Sequence, residues 1–206
     1  ELRYGENPHQ KSIFYIESDT KSIINQMHGK ELSYNNYFDI ESAINIVYQF
    51  NDISCSIIKH SNPCGFGIGN NNLEAYLNAV STDPVSYFGG VVGFNHSVHK
   101  EVANEMNKSF LECIVAPSFS DEAINILKNK KNLRLIVIKK DNFLNTFKKD
   151  MFRSVFNGVL FQKKDSFLKQ FNEFDVVTKK KPTNNEYNSL LLGWKLVKFV
   201  KSNAIV

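Results

Sequence analysis

Residues 53–69 carry the sequence ISCSIIKHSNPCGFGIG, in which an apolar run is followed by charged, polar and glycine residues. The run at 53–58 has no charge and is rich in β-branched residues, which is typical of a buried strand. Pro63 and three glycines follow, and they predict that this strand ends in a loop. Loops at strand ends are where α/β sheets usually bind ligands, so residues 59–69 are the first candidate site.

Helical and strand patterns alternate on both sides of this segment. Strands are predicted at 12–16, 53–58, 90–94, 110–115, 133–138 and 155–161. Helices are predicted where apolar residues recur every three or four positions, at about 35–50, 73–80, 102–108, 121–128 and 185–200. Such alternation predicts an α/β architecture with helices on both faces of a sheet.

Composition excludes several classes of protein. The 206 residues are 42% apolar and 22% charged, which suits a globular chain with a real core. The three cysteines, Cys55, Cys64 and Cys113, lack a CxxC spacing and predict reduced thiols in a cytoplasmic protein. No run approaches about 18 apolar residues, and the first residues lack the pattern of a signal peptide. We therefore expect no membrane association.

The charge is unevenly distributed along the chain. Residues 1–120 carry 7 basic and 13 acidic side chains, whereas residues 121–206 carry 18 basic and 8 acidic ones. The lysines occur in short clusters separated by apolar segments, which is typical of solvated loop ends. No recognition-helix, RNP or KH signature accompanies them, so no nucleic-acid partner is predicted. A diffusely basic half can also steer small anions.

The loop at 59–69 offers one plausible chemistry. A phosphate-binding GxGxxG motif fails at its third glycine, where Asn70 stands. A zinc deaminase site fails because Cys64 has no second cysteine at the required spacing, so no metal is predicted. Lys59 and His60 remain, and both reach one pocket only if the strand breaks there. A base and a stabiliser of negative charge on a carbonyl oxygen are what acyl transfer to a weak nucleophile requires.

Two further clusters can contact a ligand. Residues 3–10, RYGENPHQ, place a guanidinium, a phenol and an imidazole on an irregular segment that suits an anion or a planar ring. Residues 82–90, TDPVSYFGG, end in two glycines that allow close approach of a ligand to the backbone. A frayed terminus and a simple turn are the structural alternatives for these two segments.

Five motifs in fixed order carry a family resemblance. They are LRYGENPHQ at 2–10, LSYNN at 32–36, KHSNPCG at 59–65, TDPVSYFGG at 82–90 and KFVKSNAIV at 198–206. With these motifs the chain closely resembles the transformylase part of the bifunctional purine-biosynthesis family that combines AICAR transformylase with IMP cyclohydrolase.

The resemblance implies a fold and a domain division. It implies tandem lobes of a three-layer α/β/α, cytidine-deaminase-like fold without zinc. Residues 1–165 would form the first lobe, and residues 166–206 a crossover linker and helix entering a second, mostly absent lobe. The cyclohydrolase domain of the family would not be in this chain.

The resemblance also implies a reaction and its residues. The 5-amino group of AICAR would attack the formyl carbon of 10-formyltetrahydrofolate, with His60 as proton acceptor and Lys59 as transition-state stabiliser. Substrate contacts would come from Arg3, Tyr4, Phe88, Gly89, Glu112 and Asn203. The family further implies a homodimer with shared active sites. Three interpretations stay open: half of a formyltransferase site, a noncatalytic nucleotide-binding lobe, and a basic RNA-associated protein.

Overall fold

A computed structural model describes residues 1–146, 150–165 and 174–206. It divides into two compact units, residues 1–145 and 146–206, which are described separately. The strands are β1 (Asn25–His28), β2 (Ser54–Lys59), β3 (Asn62–Ile68), β4 (Val91–Phe94), β5 (Cys113–Ala116), β6 (Arg134–Val137), β7 (Asp150–Val155) and β8 (Gly158–Lys163). The helices are α1 (Tyr34–Val47), α2 (Asn72–Thr82), α3 (Lys100–Met106), α4 (Asp121–Leu127), α5 (Lys140–Thr146) and α6 (Asn184–Val197).

The first unit is built on a mixed six-stranded sheet in the order β1-β6-β5-β4-β2-β3. Strands β4, β5 and β6 are parallel, β2 is antiparallel to both β3 and β4, and β1 is antiparallel to β6. The carboxyl ends of β1 and β2 therefore share one edge of the sheet with the amino ends of β4, β5 and β6. Helix α1 follows β1 and so begins at this end of the strands. We call this end the active edge; the term refers to the strand ends and not to the outer strands β1 and β3.

Helices cover both faces of this sheet, which confirms the predicted three-layer α/β/α arrangement. On one face α1 packs with Ile40, Ala43, Ile44 and Val47, all nearly inaccessible to solvent. On the other face α2, α3 and α4 close a separate core with the alternate strand residues, among them Ile57, Val92, Ile114 and Leu135. Each β2 residue thus faces one helical layer or the other, as expected for a strand buried on both faces.

Helix α1 begins at Tyr34, one residue before the predicted start at about residue 35. Ser33 is the N-cap: its side chain accepts a hydrogen bond from the backbone N–H of Asn36, and the Asn36 side chain accepts one from the Ser33 backbone N–H. This reciprocal capping box satisfies backbone donors that the first helical turn leaves unpaired. The first turn of α1 is consequently fixed at the active edge.

The glycine-rich stretch after Lys59 is a strand rather than the predicted loop. Residues 62–68 form β3 at the edge of the sheet, paired with β2 along its whole length. A Cβ at Gly67 would lie only 2.5 Å from the backbone nitrogen of Ala79 and still closer to the carbonyl oxygen of Ala75. Gly65 and Gly67 therefore let α2 lie directly on the strand. The prediction failed because these glycines serve close packing and not a turn.

Replacing Gly67 by alanine is expected to destabilise the protein by about 3 kcal/mol, because the new methyl group meets rigid backbone of α2. The melting temperature measures this loss. Gly158→Ala is the matched control, since a Cβ there has only an ordinary contact with the Val155 carbonyl. Equal melting temperatures for the two variants would contradict the packing role of Gly67.

Three other predicted strands need correction. Residues 12–16 form no strand and are largely exposed, whereas β1, which lacks an alternating apolar pattern, pairs with β6. The strand predicted at 110–115 begins only at Cys113. The strand predicted at 155–161 is the hairpin β7–β8, which turns at Phe156 and Asn157. The Asn-Gly pair at 157–158 is a hairpin signal only one residue out of register with this turn, because Gly158 already pairs with Val155.

The second unit contains this hairpin and α6. Thr183 caps α6 and forms a capping box with Glu186, and Trp194 packs edge-on against Phe174 at 5.4 Å between ring centroids. The predicted helix at 185–200 is thereby confirmed, although it ends at Val197. The predicted linker at 166–181 lies partly outside the described residues, so the domain boundary at 165–166 stays a prediction. Across the described ranges, no helix is long and apolar enough to cross a membrane.

Candidate active site at one edge of the sheet

The strand break that Lys59 and His60 require lies between β2 and β3. Lys59 pairs with Asn62, and the two intervening residues both have left-handed backbone, with φ of 55° at His60 and 57° at Ser61. Two such residues form the tight hairpin turn that glycine and asparagine usually occupy. The turn leaves the His60 side chain exposed at the active edge.

Lys59 reaches across the active edge to the loop before β4. Its Nζ donates a hydrogen bond of 3.0 Å to the backbone carbonyl of Phe88. The next residue, Gly89, has a φ of +73°, and its N–H donates to the Phe110 carbonyl at 2.8 Å. Phe88 itself is mostly exposed and packs beside Phe110, 5.4 Å between ring centroids. Lys59, Phe88 and Gly89 therefore lie together at this edge.

Glu112 lies at the same edge, just before β5. Its carboxylate accepts a 2.7 Å hydrogen bond from the guanidinium of Arg134, whose side chain is only 4% exposed. Arg134 also donates to the Glu31 carbonyl at 3.3 Å and so joins β6 to the chain before α1. The Glu112 side chain is itself 39% exposed. The buried guanidinium of Arg134 thus orients the carboxylate of Glu112, and the exposed part of the Glu112 side chain is accessible to a ligand.

The N-terminal segment is tied to the start of α1. The Arg3 N–H donates to the Leu32 carbonyl, and the Tyr34 N–H donates to the Tyr4 carbonyl, each at 3.1 Å. The Arg3 guanidinium lies 5.1 Å from the centroid of the Tyr4 ring, within cation–π range. Arg3 is exposed and Tyr4 is half-buried. These contacts bring a free cation and a phenol to the active edge and argue against a frayed terminus.

Seven of the eight predicted site residues thus belong to the active edge of the first unit. They are Arg3, Tyr4, Lys59, His60, Phe88, Gly89 and Glu112. Asn203 belongs to the second unit, where it is exposed. In the described part of the chain, no three His, Cys, Asp or Glu side chains are arranged to hold a metal ion.

Cys64 stands close to this edge but is poorly suited to be a nucleophile. Its Sγ contacts the Ile57 carbonyl at 3.5 Å. Burial raises the pKa of the Cys64 thiol, and the negative charge of Asp83 raises it further, against a smaller opposing effect of Lys59. The thiol is therefore protonated near neutral pH, and only a thiolate attacks efficiently.

Asp39 is a site residue that the sequence analysis missed. Its carboxylate Oδ1 accepts a 2.6 Å hydrogen bond from the backbone N–H of Ser61, inside the turn that carries His60. Burial raises the pKa of Asp39 above its ordinary value, against the opposing effects of the Ser61 hydrogen bond and the charge of His60. The nearby charge of Glu112 raises this pKa further. Asp39, His60 and Glu112 therefore share one electrostatic environment.

The raised pKa of Asp39 predicts a pH-dependent stability. Because the folded state binds this proton more tightly than the unfolded state, the stabilisation is complete below the unfolded pKa and disappears as pH rises through the folded pKa. Asparagine is neutral throughout and still accepts the Ser61 hydrogen bond. Asp39→Asn is thus expected to raise the melting temperature relative to the wild type at pH 7, and the difference should shrink towards pH 4. A difference that does not change between these two pH values would contradict the prediction.

A family model described as "AICARFT/IMPCHase bienzyme" matches residues 1–206. The chain belongs to the AICARFT/IMPCHase bienzyme family. The resemblance carried by the five motifs is thereby confirmed.

Curated relatives of this family are similar in sequence to the whole length of this chain. The bifunctional purine biosynthesis protein PurH of Listeria monocytogenes serovar 1/2a is 47% identical over 209 residues, covering 100% of this chain and 40% of that protein. PurH of Bacillus cytotoxicus is 45% identical over 210 residues, covering 100% of this chain and 41% of that protein. The chain therefore spans about two fifths of the length of these relatives.

Solved structures show a more distant similarity. RibD of Acinetobacter baumannii, form 1, has a TM-score of 0.37 and 18% identity, covering 52% of this chain and 35% of that one. The dCMP deaminase from cyanophage S-TIM5 in apo form has a TM-score of 0.36 and 10% identity, covering 48% of this chain and 94% of that one.

Proposed function

We propose that this chain carries the transformylase chemistry of its family, the transfer of a formyl group from 10-formyltetrahydrofolate to the 5-amino group of AICAR. The observation that carries the proposal is the active edge itself, where an exposed imidazole follows an ammonium that is already hydrogen-bonded to a neighbouring loop. The family resemblance implies transformylase residues at these positions, which supports the proposal.

The proposed reaction needs a base and an oxyanion stabiliser. The amino nitrogen of AICAR attacks the formyl carbon, a C–N bond forms, and the formyl oxygen becomes an oxyanion. The nitrogen loses its proton to the imidazole of His60. The oxyanion then collapses and the bond from the formyl carbon to N10 of the folate breaks. N10 takes up the proton from the His60 imidazolium, directly or through water, and the base is regenerated. Formyl-AICAR and tetrahydrofolate are released.

Lys59 is suited to stabilise the oxyanion. An ammonium has three N–H donors, and the Phe88 carbonyl accepts one of them. This bond directs the ammonium along the active edge and leaves donors for an oxyanion. A fixed cation of this kind lowers the energy of charge that develops only in the transition state.

The remaining residues of the active edge suit the nucleotide. Arg3 offers an exposed guanidinium to the phosphate of AICAR, and Tyr4 beside it offers a phenol. The open side of the Glu112 carboxylate accepts hydrogen bonds from ribose hydroxyls or amide groups. Phe88 and the backbone of Gly89 suit the planar imidazole ring. Asn203, which belongs to the second unit, is proposed as a nucleotide contact on the family resemblance alone.

The test is to incubate the purified protein with AICAR and 10-formyltetrahydrofolate and to measure turnover as the release of tetrahydrofolate. Turnover is the expected result if one lobe holds a working site. AICAR binding in calorimetry without turnover would instead make this chain a nucleotide-binding lobe that needs a second lobe or chain. Salt-sensitive RNA binding without any response to AICAR would overturn the proposal.

The homodimer that the family resemblance implies is part of the same proposal. Sedimentation of the purified protein measures it directly, with and without AICAR. A shared active site predicts that turnover per chain falls as dilution separates the subunits.

A further inference from the structure

The turn that carries His60 is unfavourable for its own residues. His60 and Ser61 both have left-handed backbone, which is uncommon for residues with a Cβ. The ladder between β2 and β3 fixes the two ends of the turn through the pairing of Lys59 with Asn62. It provides no partner for the N–H of Ser61, which points out of a two-residue turn.

Asp39 provides that partner. The 2.6 Å bond from the Ser61 N–H to the Asp39 carboxylate joins the turn to α1, 22 residues away in sequence. The helix is a rigid support at this point because Ile40, the next residue, is 1% exposed, and the capping box at Ser33 fixes the first turn. The hydrogen bond thus holds the turn against a helix whose own position is fixed by packing.

We propose that Asp39 is a positioning residue, which holds the His60–Ser61 turn in its left-handed conformation and thereby aims the imidazole of His60 at the substrate. This inference rests on the proposed formyl transfer, in which His60 accepts the proton of the amine. Asp39 acts through the backbone of Ser61 and needs no contact with AICAR or the folate.

A carboxylate at this position is not explained by stability alone. Asp39 is half-buried, and Glu112 contributes a second negative charge nearby. A neutral acceptor would make the same hydrogen bond at lower cost. The cost of the charge is partly offset, because the hydrogen bond from Ser61 and the charge of His60 both favour the ionised carboxylate.

Four variants separate this role from a general structural one. Asp39→Ala is expected to lower kcat for formyl transfer about tenfold or more while changing KM for AICAR less than about threefold, since the imidazole is misdirected but the nucleotide contacts remain. Asp39→Asn should keep kcat within about threefold of the wild type, because its amide oxygen accepts the same hydrogen bond. Glu41→Ala, which removes an exposed carboxylate from the same helix, is the control and should leave kcat unchanged.

The decisive variant is Ser61→Gly in the Asp39→Ala background. Glycine adopts positive φ without strain. If Asp39 acts by holding the turn, the double variant should therefore have a kcat at least about threefold higher than that of Asp39→Ala. A loss that Ser61→Gly fails to restore, or an Asp39→Asn variant as slow as Asp39→Ala, would overturn the inference. So would an Asp39→Ala variant as active as Glu41→Ala.

A structural measurement separates this inference from the proposed function. The amide of Ser61 should exchange with solvent deuterium at least about tenfold faster in Asp39→Ala than in the wild type and in Asp39→Asn. This holds even if the wild type shows no formyl transfer, a result that would overturn the proposed function and not the hydrogen bond. Unchanged exchange at Ser61 would overturn the positioning role itself.

Discussion

Replacing His60 by alanine is expected to lower kcat for formyl transfer to AICAR by about 10²–10⁴-fold, the usual contribution of a positioned general base. The amino group of AICAR is attached to an aromatic ring and is a weak nucleophile, so it must lose its proton as it attacks. The His60 side chain is exposed at the active edge, and alanine at this position leaves no other imidazole in the turn. Steady-state release of tetrahydrofolate measures the loss.

His99→Ala is the matched control for this prediction. His99 is also exposed, but it precedes α3 after the carboxyl end of β4, at the opposite edge of the sheet. It should retain wild-type kcat. The KM for AICAR should stay within about threefold in both variants, because neither change removes a phosphate contact. Equal kcat in His60→Ala and the wild type would show that the proton leaves by another route.

Much of the fold follows from the local pattern of the sequence. The run at 53–58 is buried along β2 because it has no charge and many β-branched residues, and α1 shows the three-and-four spacing of its buried face. These signals depend on near neighbours only. The same local logic misjudged β3, because Gly65 and Gly67 owe their positions to packing against Ala75 and Ala79 of α2, which lie 8 to 14 residues further along the chain.

The family resemblance indicated residues that the structure brings to one end of the sheet, but not the contact that supports them. Arg3, Lys59 and Phe88 lie in quoted motifs, Glu112 is implied by the resemblance, and all four are at the active edge. Asp39 is absent from the predicted site because its contact with the turn depends on which strands are neighbours. An acidic residue one turn into an amphipathic helix normally indicates only a solvated face.

Arg134 illustrates a second kind of limit. Its pairing with Glu112 depends on the parallel register of β5 and β6, in which Cys113 lies opposite Arg134. Arginine is rarely buried without a partner, so the sequence alone does not indicate that the guanidinium of Arg134 is buried at the start of an apolar strand. The partner becomes visible only when strand order and register are known.

Replacing Lys59 by methionine is expected to lower kcat by about 10²–10³-fold, the usual cost of removing one oxyanion donor. Methionine keeps most of the length and apolar surface of the side chain, so the loss reports on the ammonium. Lys59→Arg retains the charge, yet its planar fork cannot place a point charge at the position that the bond to the Phe88 carbonyl defines, so it should recover only part of the rate. Lys100→Met, at the opposite edge, is the control. If Lys59→Met raised KM for AICAR and left kcat intact, the lysine would bind the substrate and would not stabilise the transition state.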